Sequence, residues 1–166
     1  MAIVNSVILI GMPGSGKSTL GKILAEKISY EFIDMDKFIE NKSGQTISEL
    51  FAKGENIFRD VESEVCKELS KIEGAVIATG GGVIKRKENM DCFKDTTVVF
   101  INRSIEKILE DIDKEERPLL KSGIQNIKEI YNERIELYEM YKDVEVKNLS
   151  SLEDTVNELI DILKLK

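Results

Sequence analysis

The stretch Gly11-Met12-Pro13-Gly14-Ser15-Gly16-Lys17-Ser18-Thr19 carries three glycines, then a lysine followed by two hydroxyl side chains. It follows the short apolar run Val7-Ile8-Leu9-Ile10, which reads as a buried strand. From Gly11 to Ser18 the spacing satisfies G-x-x-x-x-G-K-[ST], a phosphate-binding loop between a strand and a helix. Gly11, Gly14 and Gly16 permit backbone conformations that let successive N–H groups turn inward around a phosphate, with Ser15 between them. The helix that follows adds the positive end of its dipole. Lys17 has the reach for β- and γ-phosphates, the Ser18 hydroxyl suits Mg²⁺, and Thr19 completes the loop. Nucleotide phosphate binding is the expectation around which the other polar groups are read.

Asp34 and Asp36 follow Phe32-Ile33, a short strand signal. At i, i+2 in an extended segment both carboxylates would face the crevice at the C-terminal strand ends. Asp36 is also placed to cap a helix starting at Lys37. Arg59 and Glu62 stand i, i+3 within a helical pattern from about Asn56 to Lys71, so the carboxylate could fix the guanidinium. Taken alone, that pair reads first as a surface ion pair. Gly80-Gly81-Gly82 close the β-rich run Ala75-Val76-Ile77-Ala78-Thr79 and suit close approach of a ligand to the backbone. The charge-dense stretch 111–123 contains Arg117 before the rigid Pro118 and reads as a solvated face or a lid. Arg134 lies in a long helical segment from Ile124 to Tyr141.

The elements that would position these groups follow from periodicity. Leu20, Ile23, Leu24 and Ile28 share one face of a helix after the loop. Thr46-Ile47-Ser48-Glu49 is a capping-box pattern, and Gly54 ends the short helix it opens. Thr97 to Ile101 and Asp143 to Val146 read as strands, and Ser104 caps a helix to about Ile112. The closing helix has Leu152, Val156, Leu159, Ile160 and Leu163 as its apolar face, with a capping signal at 150–153. Five strands alternating with helices predict one α/β domain over residues 1–166: three layers, α/β/α, around a five-stranded parallel sheet.

Composition narrows the partners. A chain of 166 residues with 42% hydrophobic and 33% charged residues suits one globular domain. The net charge of −7 argues against a general nucleic-acid or membrane-surface binder. No stretch approaches the length of a membrane span. With no histidine and only Cys66 and Cys92, neither in metal-type spacing, a zinc site is not expected. The lack of a secretory signal predicts a reducing, cytoplasmic setting. Carboxylates, lysine, arginine and a metal ion must then carry the chemistry, and a small anionic substrate would need local arginines.

Taken in order, the P-loop, Phe32-Ile33-Asp34-Met35-Asp36, Phe58-Arg59-Asp60-Val61-Glu62, Gly80-Gly81-Gly82, Arg117-Pro118-Leu119-Leu120 and Arg134-Ile135-Glu136-Leu137-Tyr138 resemble the motif set of bacterial shikimate kinases. The resemblance spans about Ile8 to Tyr141. It implies a P-loop kinase with a mobile lid over 111–123 and a substrate-binding segment over 35–62. The implied activity is ATP-dependent phosphorylation of the shikimate 3-hydroxyl, with Mg²⁺, by a monomer. By the same resemblance, Lys17 and Arg117 would serve the transferring phosphoryl group, and Ser18 would bind Mg²⁺ with Asp34 assisting through water. Asp36 would hydrogen-bond the substrate hydroxyls, and Arg59 and Arg134 would grip the carboxylate, with Glu62 orienting Arg59. Gly80, Gly81 and Gly82 would line the substrate, Gly81 through its backbone. Asp36 beside Mg²⁺ and arginines is expected to have a lowered pKa. Phe51 and Phe58 suit either the substrate ring or the core. One departure stands out: Ile108-Leu109-Glu110-Asp111 holds no arginine where the family often carries one against adenine. A gluconate or nucleoside-monophosphate kinase on the same scaffold, and a nucleotide-binding switch without an acceptor, are the competing readings.

Overall fold

A computed structural model describes residues 5–112, 124–149 and 151–164. Five strands form one sheet: β1 (Val7–Ile10), β2 (Glu31–Asp34), β3 (Ala75–Ala78), β4 (Thr97–Asn102) and β5 (Val144–Lys147). Their order is β2-β3-β1-β4-β5 and every pairing is parallel. β1 is therefore central, with Val7 in register with Val76 on one side and Thr97 on the other. All four β1 residues are buried, and alternate side chains enter opposite layers. Ile8 and Ile10 join Ile39, Phe58, Leu69, Phe93, Phe100 and Tyr138, whereas Val7 and Leu9 join Leu20, Leu24, Val156 and Leu159. This is the expected three-layer α/β/α arrangement.

The helices are α1 (Lys17–Ile28), α2 (Met35–Ser43), α3 (Ile47–Lys53), α4 (Glu55–Leu69), α5 (Lys87–Cys92), α6 (Ile105–Ile112), α7 (Ile124–Tyr141) and α8 (Leu152–Lys164). Thr46 and Glu49 form the reciprocal capping box at α3, and the Ser104 and Ser151 hydroxyls accept from first-turn N–H groups of α6 and α8. Three local expectations change. α2 begins at Met35, so its cap is Asp34 and not Asp36. Leu152, the first residue of α8, is 40% exposed and does not join the α8 core face. Between β3 and β4 the strand–helix alternation implies a helix without bounds, and the structure has a 3-10 turn at Val83–Lys85 and the six-residue α5, too short to carry a periodicity. Residues 113–123, including Arg117 and almost all of the expected lid, lie outside the described residues. Among those described, no helix is long and apolar enough to cross a membrane.

Candidate active site

Because all strands run the same way, their C-terminal ends share one edge, and the predicted polar groups collect there. The loop after β1 turns through Gly14 and Gly16 at φ 84° and 98°, conformations that side chains with a Cβ avoid. The Ser15 N–H closes this turn on the Met12 carbonyl at 3.0 Å. Lys17 is buried, and its Nζ donates to the carbonyls of Gly11 (2.7 Å) and Met12 (3.0 Å), so the ammonium stands inside the loop at the start of α1. A cleft of about 210 Å³ opens here, lined by the loop, Asp36, Thr79, Gly80 and Gly81. Ser18 and Thr19 also line a wider groove of about 550 Å³ between α1 and α2.

Asp34 divides its carboxylate between fold and site. Oδ1 accepts from the backbone N–H groups of Asp36 and Lys37, capping α2, while Oδ2 accepts from the Ser18 hydroxyl at 3.1 Å. A hydroxyl and a carboxylate oxygen on neighbouring chain ends form a hard-oxygen pair of the kind Mg²⁺ takes. Asp36, in the first turn of α2, presents its carboxyl to the same cleft. Its pKa is raised above the ordinary value by burial and next by Asp34, with Lys17 pulling the other way. This reverses the lowered pKa expected from the sequence: in the chain by itself, desolvation and a neighbouring carboxylate outweigh the cations.

The acceptor side is a buried cluster. Arg59 is 5% exposed and Glu62 fully buried, so the surface ion pair suggested by spacing is an interior one. Arg59 Nη1 donates to Glu62 Oε1 at 2.8 Å, and the guanidinium lies within 6 Å of the stacked rings of Phe51 and Phe58. Burial raises the pKa of Glu62, opposed by Arg59. Arg134, 5% exposed on α7, has Nε and Nη1 without a hydrogen-bond partner. Burying guanidinium donors unpaired is costly, which marks these two as donors for an anion.

The three glycines hold the cluster against the phosphate loop by proximity, and none has a positive φ. A β-carbon on Gly80 would come within 3.3 Å of Glu62 Oε2 and Asp36 Oδ1, and one on Gly81 would stand 2.7 Å from the Pro13 ring. The Tyr138 hydroxyl donates to the Gly81 carbonyl at 2.6 Å, tying α7 to the same turn. The sequence suggests that these glycines admit a ligand; in the chain by itself they admit the protein's own Arg59, Pro13 and carboxylates.

Thus Gly11, Gly14, Ser15, Gly16, Lys17, Ser18, Thr19, Asp34, Asp36, Arg59, Gly80, Gly81, Gly82 and Arg134 meet at one sheet edge, and Arg117 lies outside the described residues. Two further residues reach the loop without having been singled out from the sequence. Arg103 Nη1 donates to the Gly14 carbonyl at 3.0 Å, and Asn148 Nδ2 donates to the Ser15 carbonyl at 2.9 Å. The available signal was position alone, since each follows directly on a strand end.

A parallel sheet with a glycine loop, a buried lysine and a hydroxyl at the helix start defines a P-loop nucleotide-binding domain. Comparison with known proteins gives the branch. The family model described as shikimate kinase matches residues 13–164. A shikimate kinase of Clostridium beijerinckii is 48% identical over 160 residues, covering 96% of this chain and 95% of that one. Two solved structures agree. Shikimate kinase from Acinetobacter baumannii in complex with shikimate has a TM-score of 0.88 at 31% identity, covering 96% of this chain and 93% of the other. The Aquifex aeolicus enzyme has 0.83 at 38%, covering 96% of each. The chain belongs to the shikimate kinase family.

Proposed function

We propose that this chain transfers the γ-phosphoryl group of ATP to the 3-hydroxyl of shikimate, giving shikimate 3-phosphate and ADP in the route to aromatic amino acids. The observation that carries the reading is the pair of buried arginines, Arg59 and Arg134, beside the phosphate loop, with Arg134 donors left unpaired. Two guanidinium forks give a planar carboxylate a charge-assisted grip that a chain of net charge −7 needs. On this reading 35–62 is the acceptor segment of a single domain, and Arg117 belongs to a lid over 111–123.

The chemistry is positioning and charge neutralisation. The loop N–H groups and Lys17 hold the β- and γ-phosphates. Asp36 accepts a hydrogen bond from the acceptor hydroxyl, aims its oxygen at the γ-phosphorus and takes its proton. The oxygen–phosphorus bond to the acceptor forms as the bond to the β-γ bridging oxygen breaks, and the pair of electrons leaves on ADP. Ser18 and Asp34 fit Mg²⁺, which when bound neutralises the phosphate oxygens. Arg59, set by Glu62, and Arg134 hold the carboxylate away from the reacting centre, with the Gly80–82 backbone alongside. On the same reading the enzyme is a monomer in the cytoplasm.

ADP release with Mg-ATP, compared without acceptor and with shikimate, gluconate and nucleoside monophosphates, tests the reading. Turnover with shikimate alone is expected. Turnover with another acceptor overturns the substrate, and acceptor-independent hydrolysis overturns the kinase assignment.

A further inference from the structure

Two successive carbonyls of the phosphate loop are held from outside by side chains of other elements. Arg103, immediately after β4, donates to Gly14 O, and Asn148, immediately after β5, donates to Ser15 O. Asn148 is itself fixed by its backbone N–H, which donates to the carbonyl of Asn102 at 2.8 Å, next to Arg103. It stands so close that a β-carbon on Gly16 would lie 2.7 Å from its Nδ2. Arg103 is fixed by Asp111, the penultimate residue of the eight-residue α6, at 2.6 Å. Its side chain is 18% exposed, a setting in which an arginine contact is screened little.

The consequence follows from peptide geometry. No described peptide bond is cis, so the C=O and N–H of each unit point in opposite directions. Pulling the Gly14 carbonyl outward leaves the Ser15 N–H on the Met12 carbonyl, where it closes the turn, and pulling the Ser15 carbonyl outward turns the Gly16 N–H to the inner side of the loop, where Lys17 also lies. Glycines at φ 84° and 98° leave these peptides free to rotate, because no Cβ resists it. A rotated peptide would aim a carbonyl, and its negative end, at the phosphate. We infer that Arg103 and Asn148 are positioning residues for the nucleotide, an outer brace that keeps the loop's N–H groups facing phosphate, with Asp111 setting Arg103. Neither needs to touch the ligand. The inference rests on the proposal that residues 11–19 hold the phosphates of ATP.

The test uses the full chain and isothermal titration with Mg-ATP and with ADP, alongside KM for each substrate and the melting temperature. Arg103→Gln and Asn148→Ala are each expected to weaken both nucleotides by about tenfold, the scale of losing one hydrogen bond to a charged or strongly polar group. The acceptor KM and the melting temperature should move little, and Arg103→Lys should restore part of the loss. Asp111→Asn should weaken nucleotide binding less, and should add nothing in the Arg103→Gln background. Nucleotide affinity within twofold of wild type, or a loss shared equally with acceptor affinity and melting temperature, overturns the brace. Lys17→Ala separates the two ideas. If it leaves nucleotide affinity and turnover intact, the loop reading itself fails and the brace with it. If it abolishes turnover while Arg103→Gln changes nothing, the brace alone fails.

Discussion

The Arg59 guanidinium packs on the α-carbon of Gly82 so closely that a β-carbon there would stand 2.4 Å from Nη2 and 2.8 Å from the central carbon. Gly82 has φ −102° and ψ 12°, which any residue adopts, so the constraint is space and not backbone conformation. Gly82→Ala should fold normally yet push the guanidinium off its Glu62 seat. Displacing one charge-assisted hydrogen bond costs roughly 1.5–3 kcal/mol. The acceptor KM should therefore rise by about tenfold or more while the ATP KM holds, as steady-state kinetics with each substrate varied will read.

Asp36→Asn keeps the shape of the side chain and removes its base. Transfer should fall by roughly 10²–10⁴-fold with ATP affinity nearly unchanged, measured by turnover and titration together.

The same substitution reports on pH. Burial raises the Asp36 pKa above 3.8 in the folded chain, so the folded state binds this proton more tightly than the unfolded state does. Its contribution to stability is full below about 3.8 and is lost as pH rises through the folded value. Asn escapes that loss. Without ligands, Asp36→Asn should melt higher than wild type near neutral pH, and the gap should close as the pH falls toward 3.8, which thermal melts along a pH series will show.

Tyr138 is fully buried, stacks on Phe100 at 5.1 Å between centroids, and donates to the Gly81 carbonyl. Burial pushes its pKa to about 12, so it donates throughout the working range. Tyr138→Phe should cost about 1–3 kcal/mol by leaving that carbonyl unpaired. At roughly 2–4 °C per kcal/mol the melting temperature should drop by several degrees.

Lys85 joins α4 to α7 through Glu55 (3.0 Å) and Glu133 (3.1 Å), both acids about half exposed. Exposed pairs contribute little, so Lys85→Met should lower stability by no more than about 1 kcal/mol. The difference should shrink at high salt, since screening weakens the wild-type pairs.

The legible part of this molecule was local. The β1 run and the loop pattern are contiguous, and the Thr46–Glu49 capping box and the parallel strands each carry their own periodicity, so all were available from the chain. What a pattern at i, i+3 could not contain was the depth of Arg59 and Glu62, because Phe51 of α3 and the glycines after β3 close over them from other elements. The sequence places the cap of α2 two residues late for a similar reason. Asp34 ends a strand and begins a helix with no residue between, and either aspartate can cap. Arg103 and Asn148 act on the loop from distant chain positions, which no spacing rule within the loop records.

Arg59 and Arg134 come from α4 and α7, helices far apart in the chain with β3 and β4 between them in sequence. A carboxylate taken by both, as proposed, therefore does for the native state what a covalent staple would do, closing a long loop that the unfolded chain leaves open. By mass action its binding free energy adds to the stability of the whole domain. The acceptor is then a folding ligand as well as a reactant, and acceptor concentration becomes one of the determinants of how long the protein survives.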